Sequence, residues 1–191
     1  MKRENTSILE AFKVLVLVAW VGLILASLYL AIGVPLGSLN AELVNPWLGV
    51  APWYSGLVIG VPRETLTPEQ WQTFCFRVGV WSLGGILAVL VAVDQVRRIV
   101  FQQADQSPFT AANAHRVRKA GLAVFAAALM KVSRDFAFAR FISENVRITG
   151  AQVGYLSDLG ISTAFLGIII LAVAEVMRRG VILQEEQDLT V

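Results

Sequence analysis

The sequence predicts an all-α integral membrane protein: a bundle of four transmembrane helices with both termini in the cytoplasm. Three observations lead there. The chain is 56% apolar and only 16% charged, a balance too greasy for an ordinary water-soluble domain. Four segments approach the roughly 20 mostly apolar residues a helix needs to cross about 30 Å of hydrocarbon at about 1.5 Å per residue. Lysine and arginine also gather in alternate connections between those segments. All 191 residues are read as one membrane domain whose main solvent is the lipid bilayer.

The first helix is expected over residues 11–32. Its start, MKRENTSILEAFK, is basic, as a signal peptide's would be. The apolar run from Val14 to Ile32, however, exceeds the about 7–15 residues of a cleavable signal, so the segment reads as a retained anchor. Gly22 and Ala26 form a small-residue step of the kind that lets another helix approach closely, and Gly33 and Pro35 mark the helix end.

The second helix is expected over 68–103, with Thr67 as cap and Pro68 in the first turn. The third, 111–142, starts behind Thr110 and runs through the apolar stretch Leu122 to Met130. It then meets Lys131, Arg134, Asp135 and Arg140. That apolar stretch is too short to span alone, so a crossing requires the charges to lie inside the protein or near its outer surface. The fourth helix is expected over 155–180. Its small residues Gly160, Ala164 and Gly167 share a face, a pattern of close packing.

The connection over 33–67 carries four prolines together with Trp47, Trp53 and Tyr54. Tryptophan and tyrosine favour the headgroup layer, so this loop is expected to lie against the outer surface. Orientation follows from the cations. The inner side would hold Lys2, Arg3, Lys13, Arg97, Arg98, Arg116, Arg118, Lys119, Arg178 and Arg179, against Arg63, Arg77, Arg140 and Arg147 outside. This excess places both termini inside.

Several function classes lose support at this level. One cysteine, Cys75, and one histidine, His115, exclude an intrachain disulfide and a Cys/His zinc site within one chain. The net charge of +2 makes no case for direct nucleic-acid binding. HExxH, GxSxG and a phosphate-cradling glycine loop are all missing from the sequence, and Ser133 has no identifiable base. The expectation is a protein that is not an enzyme and carries no cofactor. Cys75 reads as buried packing and His115 as a surface residue.

Two stretches, SPFTAANAHRVRKAG in the middle connection and AEVMRRGVILQEEQDLTV at the carboxyl end, resemble the signature segments of a bacterial membrane-protein family, domain of unknown function 2975. The tail, an RRG step followed by LQEEQDLTV, is the more specific of the two. The resemblance implies a small multi-pass protein of the bacterial plasma membrane with no established activity. It further implies that a small helix-turn-helix regulator, encoded beside some members, is a candidate partner.

Two groups of residues are candidate sites. The first is an intramembrane polar cluster of Arg77, Lys131, Arg134, Asp135 and Asp158. Arg77 lies 17 residues above Asp94, and Asp158 lies 17 from Glu175, which puts both about 25 Å up their helices. Lys131 and Asp135 are one turn apart and able to pair. The cluster reads either as interhelical ion pairs that fix register, with long side chains reaching the interface, or as a water-accessible pocket for an anion or protons.

The second is a cytoplasmic surface: Arg116, Arg118 and Lys119 in the loop, Arg178 and Arg179 after the fourth span, and Glu185, Glu186 and Asp188 in the tail. It reads either as a docking surface for a protein partner or as a headgroup-binding loop beside a solvated tail. A regulatory or scaffolding role through a cytoplasmic partner is therefore expected. The alternative is a transport or channel component built on the intramembrane charges, for which a homo-oligomer would supply further helices.

Overall fold

The computed structural model describes residues 2–39, 67–102, 110–145 and 161–188. These residues form four α-helices and, among them, no strand: α1 (Lys2–Leu39), α2 (Pro68–Gln102), α3 (Ala111–Asn145) and α4 (Ile161–Asp188). Three contain stretches long and apolar enough to cross a membrane, namely Leu9–Gly33, Pro68–Phe101 and Ile161–Gln187. α3 has no such stretch.

Threonine sets two of the helix starts. The Gln70 N–H donates to Thr67 Oγ1 at 3.3 Å, while the Thr67 N–H donates to Gln70 Oε1 at 2.9 Å. This reciprocal box satisfies two amides that the first turn of α2 would leave without partners. At α3 the Asn113 N–H donates to Thr110 Oγ1 at 3.2 Å, and the Ala114 N–H reaches the Thr110 carbonyl at 3.0 Å.

Several boundaries differ from the sequence reading: α1 begins at Lys2 rather than 11, and α3 ends at Asn145 rather than 142. α1 does not stop at Gly33 and Pro35; it holds Pro35 within its last turns and continues to Leu39. An interior proline loses one ladder hydrogen bond and crowds the carbonyl four residues back, a cost a helix can absorb by bending, so residues beyond it can stay helical. Residues 33–39 of the expected outer loop therefore belong to α1, and 40–66 lie outside the described residues. α4 does not stop near Gly180 but runs to Asp188, because Val181 to Asp188 contains no proline and Gly180 alone does not break a helix. The expected start of α4, at 155, also lies outside the described residues.

The extensive contacts run in chain order: α1 on α2, α2 on α3, and α3 on α4. The Gln70 side-chain amide donates to Asn145 Oδ1 at 2.9 Å, and Gly84 and Gly85 lie against Met130, so α2 and α3 are antiparallel. α3 and α4 are antiparallel too, with Gly121 against Leu171 and Gly167 against Phe125. A Cβ at Gly167 would stand 2.9 Å from the Phe125 backbone nitrogen. Only glycine permits that approach.

α3, like α2, has a packed neighbour on each side, and it is the less apolar of the two. Its Ala114, Ala120, Ala123, Ala127 and Ala128 are buried, small side chains that bring α2 and α4 close, and the large Phe141 is buried near its end. Two clusters result. Ala92 of α2 packs on Ala120, Ala123 and Val124 at one end. At the other, Phe74 stacks within 5.0 Å of Phe141, 5.6 Å of Trp71 and 5.9 Å of Phe138, beside the buried Cys75. Exposed on α3 is a stripe at seven-residue spacing: His115, Leu122, Leu129, Phe136 and Ser143.

α1 touches α2 through one seam. Val16 and Ser27 are buried on it, and the Arg97 guanidinium lies 4.5 Å over the Trp20 ring, a cation–π contact. The Ser27 hydroxyl donates back to the Leu23 carbonyl at 2.7 Å, so its polar group stays satisfied inside the helix. The expected helix approach at Gly22 is not present among the described residues: a Cβ there would meet nothing within 4 Å. Gly22 has rotated away from α2, whose seam runs through Val16, Trp20 and Ser27.

Candidate functional site

The interhelical register gathers charge at two ends of the molecule. Asp94, Gly121 and Leu171 stand at one height, since Gly84 meets Met130 and Gly121 meets Leu171. Just beyond that height lie Arg97, Arg98, Arg116, Arg118, Lys119, Glu175, Arg178 and Arg179, a belt about 12 Å deep at 1.5 Å per residue.

Two trios of equal spacing organise the belt. Asp94 accepts from Arg97 Nη2 at 2.9 Å and from Arg98 Nε at 2.7 Å. Glu175 accepts from Arg178 at 2.8 and 2.9 Å and from Arg179 Nε at 3.0 Å. In each, one carboxylate holds arginines three and four residues later, on the same helical face. Each trio keeps a net positive charge. Arg118 and Lys119 are exposed, while Arg116 is half-buried and donates to Asn113 Oδ1 at 3.2 Å. The belt is therefore cationic, suited to an anionic headgroup layer or an acidic partner.

Past the belt, α4 remains helical. Ile182 and Leu183 are 40% and 60% exposed, and Glu185 and Glu186 are exposed after them. Asp188 is the last residue of that helix. The predicted tail is thus an extension of a membrane-length helix, with apolar and acidic side chains both on its surface.

The other end holds the described members of the predicted polar cluster. Asp135 accepts from its neighbour Arg134 through Nε at 2.9 Å and Nη2 at 2.7 Å, and its side chain is only 18% exposed. Lys131, expected to pair with Asp135, is half-buried on the same helix. Arg77 is drawn instead to Glu144, at 3.8 Å from Oε2, and Glu144 also accepts from Arg140 Nε at 2.7 Å. The hydrogen bond from Arg140 holds the Glu144 carboxyl below its ordinary pKa. Asp158 lies outside the described residues.

Glu144 and Arg140 are the members that the sequence reading of the cluster missed. Their i,i+4 spacing at the end of α3 was the available signal. Beside them, α2 and α3 flank an open groove of about 580 Å³, lined by Arg77 and Trp81 from one helix and Ser133, Phe136, Ala137 and Arg140 from the other. No group of three or more metal-ligating side chains occurs among the described residues.

Helical in all its described residues but the capping threonines Thr67 and Thr110, with three helices able to cross a bilayer and charges collected at their ends, the chain is a membrane protein. It belongs to the family described as Protein of unknown function (DUF2975), whose model matches residues 61–191. The match takes in α2, α3 and α4 and leaves α1 outside it. No curated protein and no solved structure matches the chain.

Proposed function

We propose that this chain is a four-span protein of the bacterial plasma membrane, both termini cytoplasmic, that acts through a protein partner at its cytoplasmic belt and the end of α4. The role is regulatory or scaffolding, and catalysis has no part in it. The observation that carries the reading is the helical extension of α4 past the belt, with Ile182 and Leu183 exposed beside Glu185 and Glu186. Apolar anchors and acidic residues on one helix suit docking in the groove of a basic partner. A small helix-turn-helix regulator is the candidate that the family resemblance suggests.

Support for α3 as the fourth span comes from its surroundings. Its exposed stripe is apolar in the middle, at Leu122, Leu129 and Phe136, and polar at both ends, at His115 and Ser143. Its charged residues Lys131, Arg134 and Asp135 are half-buried, as charges at membrane depth must be. With α3 as a span, the cation excess at the belt favours both ends inside.

The test is affinity capture from native membranes after crosslinking, comparing the full chain, a chain ending at Gly180, and an Ile182→Ser/Leu183→Ser variant. The expected result is a regulator-sized partner recovered with the full chain and lost from both variants while each still accumulates. Equal recovery from all three would overturn the reading. The half-buried Arg134–Asp135 pair beside Lys131 favours a second reading, a transport or channel component. It predicts that Asp135→Asn alters flux in reconstituted vesicles, and it fails if the unaltered chain passes no more solute than protein-free vesicles.

A further inference from the structure

The groove between α2 and α3 sits at the end away from the belt, with Arg77 about 30 Å along α2 from Arg97 in the belt. That is headgroup depth for a helix whose belt lies in the opposite headgroup layer. Two guanidiniums border the groove, and they share one carboxylate: Glu144 takes Arg140 through Nε at 2.7 Å and Arg77 only at 3.8 Å. One positive charge is left in excess, with the Nη groups of Arg140 outside the short pair. Between two such forks a phosphate fits, since each guanidinium can give parallel N–H donors to its oxygens.

Toward the hydrocarbon, the groove changes character. Trp81 and Phe136 form its walls and are 38% and 60% exposed. Polar anchors above and aromatic walls below match an amphiphile with an anionic head, whereas free phosphate gains nothing from the aromatic wall. We infer that this groove binds an anionic phospholipid of the outer leaflet, with its phosphate between Arg77 and Arg140 and an acyl chain along Trp81 and Phe136. The inference rests on α3 crossing the bilayer and is independent of any partner on α4.

Native mass spectrometry of the full chain tests it, after release from nanodiscs holding equal parts phosphatidylglycerol and phosphatidylcholine with matched acyl chains. The unaltered chain retains phosphatidylglycerol preferentially. Arg77→Gln/Arg140→Gln lowers that preference about tenfold, while Arg77→Lys/Arg140→Lys, which keeps the charge but loses the parallel donors, gives an intermediate preference. Ala137→Leu narrows the groove without touching either guanidinium, and it also lowers retention. Excess inorganic phosphate leaves the lipid bound. Equal retention of the two lipids by the unaltered chain overturns the inference. So does undiminished preference in the Gln or the Leu variant, or release of the lipid by phosphate alone.

Discussion

α1 holds the apolar stretch Leu9–Gly33, yet it packs mainly on α2 and buries only Val16 and Ser27 among its described side chains. α3 has no stretch apolar enough to qualify as a span, yet it packs on both α2 and α4 and supplies six buried apolar side chains. In water the more apolar helix would be the more buried one. In lipid the relation turns round, because hydrocarbon tails solvate Leu and Val as well as a protein interior does. Apolarity then records contact with lipid. The helix shielded by neighbours is free to carry alanine, glycine and charge.

The largest test of that contrast is at the α3/α4 contact. Gly167→Val would drive side-chain atoms into the Phe125 backbone, which already stands 2.9 Å from an added Cβ. Unfolding in a detergent titration should show a loss of about 1–3 kcal/mol. An unchanged midpoint would mean that α4 does not seat on α3 as described.

A smaller effect is expected at the α1/α2 seam. Trp20→Ala removes the ring under Arg97, and the same titration should register about 0.5–1 kcal/mol for a contact of this kind near the surface. Arg97 keeps its hydrogen bonds to Asp94, so the belt should survive. Smallest of all is Gly22→Ala, where the added methyl meets open space. Its shift should stay within about 0.5 kcal/mol. A loss several times larger would reveal another helix packed on that face of α1, such as one from a second copy.

The two glycines show where the sequence was legible and where it was not. Gly22 with Ala26 and Gly167 with Ala164 carry the same small-residue signal, and the structure uses the second pair's glycine but leaves Gly22 open. Spacing places residues on a face; it does not say which face turns toward a neighbour. The same holds for charge. The trios Asp94–Arg97–Arg98 and Glu175–Arg178–Arg179 are local and could be read from spacing alone. The pairing of Arg77 with Glu144 joins two helices and depends on their rotation and register.

By itself the sequence determined the helical class, the three membrane-length apolar helices, the caps at Thr67 and Thr110 and the family membership, because these depend on composition and on bonds within a few residues. Only the tertiary structure decided that the least apolar helix holds a shielded position. It likewise decided that Gly167 rather than Gly22 is the tight contact, and that two arginines converge on Glu144 beside an open groove. These are outcomes of helix rotation and register, which short-range packing between small side chains settles and which no single helix encodes alone.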